Sequence, residues 1–262
     1  MIKLFKFQRE ASTQISDRFI EYQGNEVSKG TRKAPEWVPF FQSLAALTGA
    51  GKTVILADAV AQMSAVTEVA PVILWLSRGR VVVAQTYANL QPGGKYNHIL
   101  GNASVKLLSE YAPTEVEVAE TASLYFATVG TFNRKDMEQG NLTIYKSDID
   151  GTGTSTWDAL RERQDTEGSR RPLFVVYDEA HNLSEQQTEL LLKLQPEAIL
   201  LASATMQLPP LMAAEIERLR AAGRDDDWLV TKVKSSEVVS EGLVKSALSL
   251  DPPMSVGAER AS

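Results

Sequence analysis

Five short apolar runs recur along the chain, and the stretches between them carry apolar residues at helical spacing. The runs are WVPFFQSLAAL (37–47), PVILWLS (71–77), SLYFATVG (123–130), PLFVVYDEA (172–180) and EAILLASAT (197–205). Runs this short and this apolar fit strands buried on both faces. The intervening segments read as helices: residues 3–22, where Phe7, Ala11, Ile15, Phe19 and Tyr22 share one face, then TVILADAVAQMSAV, VVVAQTYANL and SEQQTELLLKL. Pro92, Gly93 and Gly94 break the third of these, and Ser184 is placed to cap the fourth. Strand and helix therefore alternate, which predicts an α/β fold with a mostly parallel sheet and helices on both faces. In such sheets ligands bind beyond the carboxyl ends of the strands.

Composition narrows the chemistry. The 262 residues are 44% hydrophobic and 23% charged, with a net charge of −6. That balance argues against a protein that coats nucleic acid by bulk electrostatics, though not against a local basic groove. With no cysteine, disulfides, zinc–thiolate sites and thiol catalysis are excluded. Two histidines, His98 and His181, do not suffice for a multi-histidine metal site. The start reaches charged residues at once, and no apolar run approaches the ~20 residues of a membrane helix. A cytoplasmic protein with no membrane partner is the expectation.

The polar residues at the strand ends carry the specific signal. After the first run comes Ala46-Leu47-Thr48-Gly49-Ala50-Gly51-Lys52-Thr53. This is a P-loop pattern, G-x-x-x-x-G-K-[ST], with Ala46 in place of the first glycine. Gly49 and Gly51 let backbone N–H groups turn toward phosphate oxygens, Lys52 can reach the outer phosphates, and Thr53 can ligate Mg²⁺. The following helix directs its positive end at the same point. Taken alone, the stretch also admits a glycine-rich strand-to-helix turn with a solvent lysine. The fourth run ends in Asp178-Glu179. Asp178 at the strand tip suits a Mg²⁺ ligand, and Glu179 is then placed to orient or deprotonate water. Taken alone, this pair is equally an acidic cap. A phosphate loop and an acidic pair at the ends of two strands of one sheet together form a nucleotide-hydrolysis site.

LTGAGKT, DEAH (178–181) and Ser203-Ala204-Thr205, in that order and at strand ends, resemble superfamily-two DEAD/DEAH-box helicases and translocases. Within them, WLSRGRVVVAQTYANL, VGTFNRKD and EGLVK resemble the restriction subunit of type III restriction enzymes. The resemblance implies a RecA-like P-loop NTPase domain that uses ATP and Mg²⁺. It implies a nucleic-acid partner, double-stranded DNA for the type III likeness, and a methyltransferase subunit. It assigns Gln8 in FQREA to the adenine base, with Thr48, Gly49, Ala50, Gly51, Lys52 and Thr53 on the phosphates. It places Ser77, Arg78, Gln85, Thr128 and Thr131 near a nucleic-acid backbone. Ser203 and Thr205 then couple nucleotide state to nucleic-acid binding.

The expected domain spans residues 1–234, with the polar, turn-rich 146–171 as a surface insertion and 235–262 as a tail. Proteins of this superfamily carry a second RecA-like domain that supplies arginines to the transferring phosphate. The residues after Ser203-Ala204-Thr205 are too few for one, so the reading is a first motor domain that binds ATP but turns it over slowly. Two other readings stay open on the sequence: a nucleotide-binding interaction module without catalysis, and a P-loop ATPase unconnected to nucleic acid.

Overall fold

A computed structural model describes residues 3–23, 39–132, 143–145, 154–178, 184–204, 213–221 and 223–243. Its centre is a parallel sheet of seven strands: β1 Phe40–Ala45, β2 Val72–Ser77, β3 Ser104–Leu107, β4 Ser123–Thr128, β5 Leu173–Asp178, β6 Ala198–Ser203 and β7 Val230–Lys232. They lie in the order β3-β4-β2-β5-β6-β1-β7. Every residue of β2, β5 and β6 is buried, as expected of central strands covered on both faces. The α/β class read from the alternation is the fold observed, and its five apolar runs are five of these strands.

The sheet is covered by helices α1 Lys6–Gln23, α2 Lys52–Ser64, α3 Arg80–Leu90, α4 Pro113–Val118, α5 Thr156–Glu162, α6 Glu185–Lys193, α7 Ala213–Ala221, α8 Asp226–Leu229 and α9 Ser235–Ser240. The apolar face of α1 is the one its spacing marks: Phe7, Ala11, Ile15, Phe19 and Tyr22 are all buried. Phe19 packs edge-on against Phe40 of β1 and Phe174 of β5, each with ring centroids 5.3 Å apart. Burying rings of this size supplies much of the drive to dock α1 on the sheet. Helix α6 opens with Ser184 accepting from the Gln187 N–H while Gln187 reaches back to Ser184, a capping box.

Two strands escaped the sequence pattern. β3 has four residues and a partner on one side only, β4. β7 has three and pairs with β1. The edge at β7 is pinned by a polar cluster as well as by the burial of Leu229 and Val230. Arg18 of α1 donates to Gln42 Oε1 at 3.0 Å and to the Asp227 carbonyl at 2.7 Å, and Gln42 donates to the Trp228 carbonyl at 2.6 Å.

The polar stretch 146–171 keeps its expected surface character over residues 166–170, which are exposed, and departs from it around α5 and at two arginines. Helix α5 lies inside it, capped by Ser155, and buries Trp157 and Leu160. Arg163 and Arg171 are only 4% and 0% exposed. Arg163 donates to the carbonyls of Leu160, Arg161, Arg171, Leu194 and Gln195. Arg171 donates to those of Ala70, Val116 and Thr121. Arginines that read as solvent charges are thus interior staples, satisfied by backbone oxygens. The packed body also runs past residue 234: Val238 of α9 is fully buried, and Leu243 packs against the core.

Candidate functional site

Because all seven strands run in parallel, their carboxyl ends lie on one edge, and the pairing sets them level with each other. Ala45 is opposite Ser203, Asp178 opposite Ala202, Tyr177 opposite Leu76, and Ser77 opposite Thr128. The strand-end residues read from the sequence therefore share one rim of the sheet. Glu179, His181 and Thr205 lie outside the described residues.

The phosphate-type loop leaves β1 at Ala46, whose N–H is bonded to the Ser203 carbonyl at 3.2 Å. Ala46 is buried at 3% exposure, so the position where the P-loop pattern has glycine holds a methyl group packed inside. Leu47, Thr48 and Gly49 turn outward and are exposed. Gly49 and Gly51 adopt φ of 91° and 81°, a left-handed backbone that glycine enters without strain. At Gly51 a side chain would also displace Gln8, since a Cβ there would stand 2.5 Å from Gln8 Nε2. Helix α2 starts at the next residue, Lys52, with Gly51 as its N-cap and no side chain covering its first N–H groups. A helix start left bare behind two left-handed glycines is a ready anion site. The Lys52 ammonium lies over the same loop, 3.4 Å from the Ala46 carbonyl and 3.5 Å from that of Leu47.

Between β1 and β5 lies β6, so the two motif-bearing strand ends are not neighbours. Helix α2 spans the gap. Its Thr53 hydroxyl donates to the Asp178 carboxylate at 2.7 Å, and Asp178 is 5% exposed. Two oxygen donors this close, one anionic, match Mg²⁺, which is bound through one or two protein oxygens plus phosphate and water. Among the described residues no group of three or more His, Cys, Asp or Glu side chains is placed to hold a metal.

Gln8 is buried at 5% exposure and both ends of its amide are engaged. Nε2 donates to the Ala50 carbonyl at 2.9 Å, and Oε1 accepts from the Phe5 N–H at 3.0 Å. Gln8 is thus bonded to the loop itself, a contact the sequence did not disclose.

The residues expected near nucleic acid fall into two environments. Arg78 and Gln85 are exposed. Ser77 is fully buried, and its hydroxyl has no hydrogen-bond partner among the described residues. Thr128 and Thr131 are half-buried, with their hydroxyls 3.2 Å apart. Gln187 was not singled out by the sequence. Its Nε2 lies 3.4 Å from the Val129 carbonyl, so the helix after the acidic strand end touches the turn that holds Thr131. No described helix is long and apolar enough to cross a membrane.

Comparison with known proteins adds family to this geometry. The model of the type III restriction enzyme res subunit matches residues 1–208. The fold is similar to a nuclease-deletion mutant of the Type ISP restriction-modification enzyme LlaGI, solved in complex with a DNA substrate mimic. That likeness has a TM-score of 0.51 and 12% identity, and covers 92% of this chain but 21% of that one. A DEAD box protein from the hyperthermophile Methanococcus jannaschii is similar at a TM-score of 0.38 and 16% identity, over 89% of this chain and 55% of that one. No curated protein matches.

Proposed function

The chain belongs to the family of type III restriction enzyme res subunits, and from that premise we propose that it is an ATP-binding and ATP-hydrolysing motor domain that acts on DNA. The observation that carries the reading is the hydrogen bond from Thr53 to Asp178, which closes the phosphate loop onto the acidic strand end. In this reading the N–H groups of Gly49 to Thr53 and the Lys52 ammonium hold the triphosphate. Thr53 and Asp178 hold Mg²⁺, which when bound offsets charge on the phosphate oxygens. Glu179, the next residue, orients the attacking water and accepts its proton. Gln8 contacts adenine from its place on the loop.

DNA runs along the same rim, against Arg78, Gln85, Thr128 and Thr131, with Ser203 and Thr205 passing nucleotide state between the sites. The DNA substrate mimic held by the similar LlaGI structure supports DNA as the partner. A second RecA-like domain and a methyltransferase subunit are the protein partners that the family suggests. Residues 1–262 by themselves then bind ATP better than they hydrolyse it, because stabilising the transferring phosphate takes arginines from a partner domain.

The test is titration of residues 1–262 with Mg²⁺–ATP, with Lys52→Ala as the control. Saturable binding that the substitution abolishes supports the reading. Binding that is absent, or unchanged by Lys52→Ala, refutes it. Turnover that DNA strongly stimulates in residues 1–262 alone would remove the partner-domain part.

A further inference from the structure

Helices α1 and α2 pack side by side, and both bury mainly apolar residues, among them Ala11 and Ile15 of α1 and Val54 and Ile55 of α2. A polar network interrupts this interface. Ser12 is 0% exposed, and its hydroxyl is hydrogen-bonded to Asp58 Oδ2 on α2. Gln62, one turn along α2, donates to the same Asp58 oxygen at 2.7 Å and lies 3.3 Å from Ser12 Oγ. Ser12 in turn lies one turn beyond Gln8 on α1, on the same face. Polar groups inside an apolar helix interface fix register, since a slip leaves them buried without partners. A slip of α1 by one turn, ~5.4 Å, would carry Gln8 away from the Ala50 carbonyl.

We propose that Ser12, Asp58 and Gln62 are positioning residues that register α1 on α2 and so hold Gln8 on the phosphate loop, setting its affinity for triphosphate. The inference rests on the ATP-binding reading. The loop's conformation at Gly51 depends on Gln8 in two ways. Gln8 Nε2 takes the Ala50 carbonyl immediately before Gly51, and it fills the space where a Cβ at Gly51 would stand. Gln8 in turn is fixed by the helix that carries it, and that helix is bonded to α2 about 9 Å along its axis from Lys52. Asp58 thus acts on the nucleotide through the loop's shape, without touching it.

The experiment uses residues 1–262 with two ligands, Mg²⁺–ATP and Mg²⁺–tripolyphosphate, by calorimetric titration. Asp58→Ala is expected to weaken both ligands, tripolyphosphate about tenfold and ATP by at least as much, because Gln8 also contacts adenine. In a Gln8→Ala background the same substitution is expected to change affinity less than about twofold, because the contact it serves is already gone. Ser12→Ala, a smaller change, gives the same pattern at reduced size and serves if Asp58→Ala does not fold. Independent, multiplying effects of Asp58→Ala and Gln8→Ala overturn the proposal. So does a loss confined to ATP, or a lowered melting temperature with unchanged affinity. A parent chain that binds neither ligand overturns the nucleotide reading first and this inference with it.

Discussion

Thr53 and Asp178 stand 125 positions apart in the chain, yet the hydroxyl of one donates to the carboxylate of the other at 2.7 Å. The contact bridges across the end of β6, the strand that separates β1 from β5. Replacing Asp178 with Asn keeps the size of the side chain and an acceptor for Thr53. It removes the negative charge.

Asp178→Asn is therefore expected to leave the fold intact and the thermal midpoint within a few degrees. ATP hydrolysis is expected to fall by at least about a hundredfold, the scale of losing one preorganised electrostatic group. Steady-state ATPase rates beside a thermal melt check both halves.

Gly51→Ala tests the loop's backbone. The left-handed conformation at φ 81° costs a residue with a Cβ ~1–2 kcal/mol, and that Cβ would meet Gln8 Nε2 at 2.5 Å. Stability measured in urea is expected to drop by that amount. ATP affinity is expected to fall by more than about tenfold, since Gln8 must leave the loop.

Arg163→Met asks what the buried arginine contributes. Burial and the like charge of Arg170 pull its pKa down, with Tyr111 and Glu197 acting the other way, and five carbonyls accept from it. Methionine fills part of the space and removes this donor from all five carbonyls, of which that of Leu194 keeps Arg170. Urea denaturation is expected to show a loss of about 3 kcal/mol or more. Arg163→Lys recovers little, because one ammonium cannot fork to carbonyls on separate segments.

High pH should open the fold from its tyrosines. Burial, reinforced by Glu115, pushes Tyr125 up to about 12, and burial raises Tyr22 and Tyr111 as well. The unfolded chain loses each of these protons at the ordinary value of 10.0. The folded chain then holds more protons above that pH. The stability these groups contribute is fully present below pH 10.0 and is lost as pH climbs toward about 12. Tyrosinate absorbance and circular dichroism, followed together, are expected to change in a single transition.

Arg78→Ala checks the nucleic-acid rim. If Arg78 neutralises one phosphate, the slope of log affinity against log salt for duplex DNA should fall by about 0.9, with affinity reduced across sequences alike. An unchanged slope removes Arg78 from the interface.

The legible part of this fold is the part written in periodic apolar residues. Five strands, α1 with its buried face and the cap at Ser184 all follow from spacing and composition. β3 and β7 stayed hidden because four and three residues at a sheet edge make no run. Helix α5 stayed hidden because its anchors are a Trp, a Leu and arginines satisfied by carbonyls, in a segment that otherwise reads as solvent. For the site, glycines and acids at strand ends are readable one by one. That β6 comes between their strands, and that α2 closes the gap, is a property of strand order. The roles of Ser12, Asp58 and Gln62 depend on which helix faces which, and polar residues on a helix carry no mark of that.

The strand that carries the phosphate loop has both its neighbours late in the chain. β1 pairs with β6, whose last residue lies 158 positions beyond Ala45, and with β7, which comes later still. During synthesis the loop sequence emerges among the first fifty-odd residues, but its strand waits for most of the chain before it can pair. Long-range pairing of this kind makes assembly slow and leaves an apolar strand uncovered meanwhile. The time at which the proposed nucleotide site can first form is thus set by strands far downstream of the loop. A nascent chain stalled before β6 would carry the entire ALTGAGKT motif and no working site.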